Sequence, residues 1–100
     1  MARRTLPVIH PGEILREVYL SPLGISAYVL AKKLRVPRTR IERLVAEKTS
    51  VTTDTALRLA KFFNTTPQYW LNLQNSFDLK IKATDMQSEL DTIHQFEMII

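Results

Sequence analysis

Arg38, Thr39, Arg40 and Arg43 fall in one short stretch whose apolar positions, Ile41, Leu44 and Val45, recur at helical spacing. Set on a helix from about Pro37 to Ala46, the four polar residues share its outward face. Three guanidinium forks and a hydroxyl on one helix face suit the reading of base edges. An Arg takes guanine O6 and N7 together, for roughly 1–3 kcal/mol of discrimination, and a Thr methyl packs on a thymine methyl. Glu42, in the same set, has two readings: it accepts from a cytosine amino group, or it pairs with a neighbouring Arg and repels phosphate. Around this stretch, Lys32, Lys33, Arg35 and Lys48, with the hydroxyls of Ser26, Thr52 and Thr53, are candidate phosphate contacts, which position a protein on a duplex without reading its sequence. Taken one at a time, the same cations serve equally as a solvated surface.

Such a face works only if neighbouring elements hold it outward. Ser26 is placed to cap a helix in which Ala27, Leu30, Ala31 and Leu34 form one buried stripe, leaving Lys32 and Lys33 outside. Arg35-Val36-Pro37 is a short break, and Pro37 suits the start of the next helix. Two short helices joined by a tight turn, the second basic outward, make the pattern of a helix-turn-helix DNA reader. The first crosses the phosphate backbone while the second enters a major groove ~12 Å wide.

Upstream, residues 10–20 predict a first helix that opens at His10-Pro11-Gly12-Glu13 and turns Ile14, Leu15 and Val18 inward, and Ser21-Pro22-Leu23-Gly24 is expected to break it. Downstream, Thr52 or Thr53 caps a fourth helix with Ala56, Leu57, Leu59, Ala60 and Phe63 inward. Asn64-Thr65-Thr66-Pro67 announces a fifth, striped by Trp70, Leu73, Phe77 and Ile81. Thr84 and Gln87 match a capping box for a sixth helix carrying Met86, Leu90, Ile93 and Ile100, although the ending Phe96–Ile100 reads equally as a strand or a frayed tail. The fold class is therefore all-α. The domains are an N-terminal arm at 1–9, the helix-turn-helix domain at 10–82, and an acidic segment at 83–100.

Composition bounds the function. One hundred residues leave room for one domain, and the absence of Cys excludes a disulfide framework and a thiolate metal site. His10 and His94 are too far apart in sequence to form a local metal pair, so neither a metal nor a cofactor is expected, and His10 reads as a helix-start residue. No apolar run approaches a membrane span and no signal-peptide core follows Arg3-Arg4, which points to a cytoplasmic protein with no membrane partner. No phosphate loop, zinc pair or nucleophile elbow appears, so an enzyme is not expected. The charge is split: residues 1–50 carry a net +6 and residues 51–100 a net −2, and from Ala83 onward there are four acids and no Lys or Arg.

The stretch 10–82, with HPGEILREVYLSPLGIS, LAKKLRVPRTRIERLV and VTTDTALRLAKFFNTTPQYWLNLQNSFDLKIK as its landmarks, resembles the HigA-type antitoxins, a branch of the Xre-like helix-turn-helix family. His10–Glu13 and the run Pro67-Gln68-Tyr69-Trp70-Leu71-Asn72-Leu73-Gln74 are the parts specific to that branch. The resemblance implies a compact five-helix domain of the Xre and lambda-repressor type that forms a homodimer and binds an inverted-repeat operator. It further implies a cognate toxin, usually a HigB-like mRNA interferase, and repression of the shared operon. The resemblance also sets the base-reading face at Arg38, Thr39, Arg40 and Arg43. Three positions depart from the family pattern. Arg35 stands where the turn commonly has Gly, Ala27 where a Gln commonly reaches phosphate, and Ala46-Glu47-Lys48 where Asn-Gly-Lys is frequent.

Two other functions fit the same residues: a stand-alone Xre-like regulator without a toxin, and a protein-interaction module that binds no DNA. The acidic segment from Asp85 to Glu97 has two readings as well, a contact for a basic toxin or a piece that completes a dimer.

Overall fold

Three helices start by one device, a hydroxyl that accepts a backbone N–H of the first turn. Ser26 Oγ accepts from Val29, Thr52 Oγ1 from Thr55 and Thr66 Oγ1 from Tyr69, at 3.1–3.2 Å. The computed structural model describes residues 8–97. The first seven residues of the expected arm, and Ile100 of the expected last stripe, lie outside that range. The regular elements among the described residues are all helical: α1 Pro11–Leu23, α2 Ala27–Leu34, α3 Arg38–Val45, α4 Thr53–Phe63, α5 Pro67–Asp85 and the single turn α6 Gln87–Leu90.

α1 is longer than the periodicity implied. Ser21-Pro22 does not break it, because Leu15–Leu20 form a π turn in which the Ser21 N–H reaches back five residues to the Arg16 carbonyl. A regular α-turn would press the Pro22 ring on a carbonyl four residues earlier, and the wider turn just before it lets the helix continue to Gly24, which ends it at φ 65°. The wider turn also changes which residues face inward. Leu15 and Leu20, five apart, are both buried, whereas Val18, expected inside, is exposed.

α2, α3, α4 and the start of α5 pack around Leu30, Ala31, Leu34, Ile41, Leu44, Val51, Ala56, Leu59, Ala60 and Trp70. The Trp70 indole donates to Thr65 Oγ1 at 2.8 Å, and Tyr19 lies against Trp70 and Phe63 with ring centroids 5.1 and 4.7 Å away. Leu57, expected inward on α4, is exposed, as is Ile81 on α5. No described helix covers the end of α5, and from Asp78 to Glu97 no residue is buried. Nor does Thr84 cap α6: it lies within α5 and its hydroxyl bonds the Lys80 carbonyl four residues back.

The amino-terminal end of α1 is seated on the end of α3. His10 caps α1, its Nδ1 accepting from the Gly12 N–H at 2.9 Å, and its ring meets Phe77 edge-on at 4.8 Å. Gly12 then lies so close to α3 that a Cβ there would fall 1.9 Å from the Leu44 carbonyl oxygen. One turn on, Arg16 donates to the Val45 carbonyl and pairs with Glu47 at 3.2 Å. Hydrogen bonding to Glu17, and then to Glu47, raises the pKa of Arg16.

Gly12→Ala is expected to lower stability by at least about 1–3 kcal/mol, because backbone must yield on one side of the contact, and urea unfolding measures it. Burial first, then its bond with Tyr69, pushes the Tyr19 phenol from its ordinary 10.0 up to about 12. A raised acid contributes stability that is complete below its unfolded value and fades as pH rises through its folded one. Stability should therefore fall between pH 10.0 and about 12, and Tyr19→Phe should flatten that fall in denaturant titrations at each pH.

Candidate nucleic-acid interface

α2 ends at Arg35, which takes the left-handed conformation at φ 60° while Val36 N–H returns to the Ala31 carbonyl at 3.0 Å. Pro37 then precedes α3, which begins one residue later at Arg38. This turn places α3 with Ile41 and Leu44 in the core and Arg38, Thr39, Arg40, Glu42 and Arg43 all exposed. The three Arg and one Thr expected outward are all exposed, with Arg38 toward Tyr28 of α2 and Arg40 toward Asp54 of α4.

The first turn of α3 holds Arg38 and Arg40 at the positive end of the helix dipole, where cations cost a few tenths to 1 kcal/mol each. Two carboxylates offset that. Glu42 pairs with Arg38 Nε at 3.2 Å, the bland alternative for that residue. Asp54, at the start of α4, receives the guanidinium of Arg40 and also Arg58 Nε at 2.9 Å. Hydrogen bonds first from Arg58 and then from Arg40 hold the Asp54 carboxyl below the usual carboxylate range. Arg58 in turn donates to the Leu34 carbonyl at 2.8 Å, tying α4 to the end of α2.

Of the candidate phosphate contacts, Ser26 and Thr52 use one lone pair each as helix caps; this leaves the Ser26 O–H available to donate, whereas the Thr52 O–H donates to Thr55 Oγ1 at 3.2 Å. Thr53 follows at the exposed start of α4, and Lys32, Lys33 and Lys48 are exposed. A cleft of about 230 Å³ bordered by Arg40, Thr49, Ser50, Thr52 and Asp54 brings the start of α4 beside α3. The loop before it is fixed from beneath: buried Gln74 accepts the Val51 N–H at 2.7 Å and donates to Asp78 at 2.9 Å. Gln74, in the run Pro67-Gln68-Tyr69-Trp70-Leu71-Asn72-Leu73-Gln74, thus acts on this surface through the core.

Two residues at this face were missed in the sequence. Tyr28, half exposed on α2, has Lys32 Nζ and Arg38 Cζ each 5.6 Å from its ring centroid. The Tyr28 to Lys32 spacing of four was a legible sign, but the approach of Arg38 across the turn was not. Asp54 could be paired with Arg58 by spacing alone, and its bond to Arg40, fourteen residues away, required the fold.

A short cationic helix, presented by a tight turn and flanked by capped helix starts, is the geometry of a helix-turn-helix reader. The helix-turn-helix family profile matches residues 15–70. Virulence-associated protein I of Dichelobacter nodosus is 51% identical over 86 residues, covering 86% of this chain and 80% of the relative. Among solved structures, an addiction-module antidote protein of the HigA family from Coxiella burnetii superposes with a TM-score of 0.86 at 41% identity, over 91% of this chain and 100% of that one. Pseudomonas aeruginosa antitoxin HigA with the higBA promoter superposes with a TM-score of 0.83 at 33% identity, over 94% of this chain and 100% of that one. The chain belongs to the helix-turn-helix family, in the branch of the HigA-type antitoxins.

Replacing Arg35 by Gly is expected to raise stability by about 1 kcal/mol, since Gly takes positive φ without the Cβ clash; a thermal midpoint no higher than that of the parent would show the turn to be unstrained.

Proposed function

We propose that this protein is a sequence-specific DNA-binding antitoxin: it represses its own operon and neutralises a HigB-like mRNA interferase toxin encoded beside it. The observation that carries the reading is the outward face of α3, on which Arg38, Thr39, Arg40 and Arg43 are all exposed. The likeness to an antitoxin solved with its promoter supports it. In this reading two copies related by a two-fold axis each place α3 in the major groove of one half-site. The half-sites are spaced about 34 Å, one helical turn, or a multiple of it.

Arg38, Thr39, Arg40 and Arg43 read bases, while Ser26, Lys32, Lys33, Arg35, Lys48, Thr52 and Thr53 hold phosphates. Arg40 exchanges Asp54 for DNA, and Asp54 keeps Arg58. Tyr28 steadies Arg38 from the face of its guanidinium, and Glu42 takes Nε, so the terminal amino groups point onward to a base edge. The segments are an arm at 1–9, the reading domain at 10–82, and residues 83–100 for contact with another protein chain.

The test is co-expression with the neighbouring frame, purification, and a footprint on the intergenic DNA. Retention of a small basic protein together with protection of an inverted repeat is expected. No preference for that DNA over random duplex sinks the operator reading, and failure to retain the neighbour favours a regulator without a toxin. Arg38→Ala should weaken specific binding by about 1–3 kcal/mol and relax one base preference. Lys32→Ala should weaken all sequences alike and lower the salt slope by about 1. Tyr28→Leu should follow Arg38→Ala in direction, and Tyr28→Phe should not.

A further inference from the structure

Among the described residues, Arg40 is the one Arg of α3 held by an acid from another helix. Asp54, at the start of α4, takes one of its terminal amino groups. Arg38 gives Glu42 only its Nε, and that pair leaves both of its terminal amino groups to other partners. The two side chains of the Arg40–Asp54 pair are 42% and 51% exposed, and an ion pair so open to water adds little to stability. Asp54 is nevertheless a carboxylate at neutral pH, since Arg58 first, and then Arg40, hold its pKa low. It borders the cleft with Arg40, Thr49, Ser50 and Thr52. There it follows Thr52 and Thr53, which the proposed function sets on phosphates, and a negative charge at that place repels a duplex backbone.

The two partners that a duplex offers Arg40 differ. A phosphate puts one anion in place of another that is already bound, so the exchange gains little. A guanine in the major groove presents O6 and N7 together to the guanidinium fork, for about five- to 150-fold of discrimination, which repays the loss of Asp54. Asp54 keeps Arg58 Nε at 2.9 Å after that exchange, so its charge stays compensated.

We infer that Asp54 is a specificity-determining residue, which withholds Arg40 from the backbone of unrelated sequences and yields it where a guanine faces α3. Discrimination is a difference between two affinities, and Asp54 widens it by weakening the wrong complex rather than by touching the right one. The inference rests on α3 being the base-reading helix.

Fluorescence anisotropy of the full chain tests it with Asp54→Asn, on the intergenic duplex and on a scrambled duplex, from ~50 to ~300 mM salt. On the scrambled duplex the variant should bind about two- to fivefold tighter at the lowest salt, and its salt slope should steepen by about 0.9, the contribution of one added phosphate contact. On the intergenic duplex the gain should be smaller, so the ratio of the two affinities falls. In an Arg40→Met background the same substitution should leave the scrambled-duplex slope where it was, because the cation that it frees is gone. Arg58, released at the same time, remains on the Leu34 carbonyl. Matched thermal midpoints check that each variant folds. A slope that steepens equally without Arg40 assigns the effect to the bare loss of a charge and overturns the inference. An unchanged ratio in Asp54→Asn overturns it too. A parent that binds both duplexes alike is a separate failure: it removes the base-reading role of α3, and the role of Asp54 with it.

Discussion

The approach of Gly12 to the Leu44 carbonyl is the constraint on which the placement of α3 depends. α3 is eight residues long, too short to persist alone, and its first turn carries Arg38 and Arg40 against the helix dipole. Its stability comes from outside, through Ile41 and Leu44 in the core and through α1 at its far end. There the Gly12 contact sets the distance between the two helices, and Arg16 takes a carbonyl that the end of α3 would otherwise leave to solvent. The His-Pro-Gly-Glu opening is thus explained by packing: His10 caps, Pro11 starts the helix, and Gly12 has no Cβ to hold α3 away.

Electrostatics at the face follows the same economy. Four residues on α3 face outward in a form suited to anions, yet in the free protein two carboxylates, Glu42 and Asp54, already engage two of the three Arg side chains. Pairs this exposed contribute little to stability. Their larger effect is on orientation, since each holds a long, exposed side chain in one place. Asp54 is bound to Arg58 as well as Arg40, so its charge would stay compensated without Arg40.

Local signals carried most of the fold. Ser26 and Thr66 cap the helices their positions promised, Thr52 and not Thr53 caps α4, and the apolar stripe of α2 and the inward residues of α3 lie where their spacing put them. Misreadings came where the local rule was replaced. The π turn in α1 moved Val18 outward by changing the period on which its placement rested. Leu57 has the right spacing for the core of α4 and faces a groove instead, which no single-helix pattern reveals. Thr84 carries a capping signature but sits inside a helix that simply continues, and its hydroxyl turns to Lys80. Around α3, the exposure of Arg38, Thr39, Arg40 and Arg43 was legible because it is local, while the Tyr28–Arg38 and Arg40–Asp54 approaches cross between elements.

The π turn of α1 has a consequence for phase. A π turn is a helix with one residue to spare, and one residue of α-helix corresponds to about 100° of rotation. Loss of a single residue between Leu15 and Leu20 would leave a continuous, regular helix and preserve every cap. It would also turn Pro11–Ile14 about a quarter of a revolution relative to Ser21–Leu23, carrying Gly12 away from Leu44. The spare residue acts as an angular spacer, setting the orientation in which Pro11–Ile14 meets the end of α3.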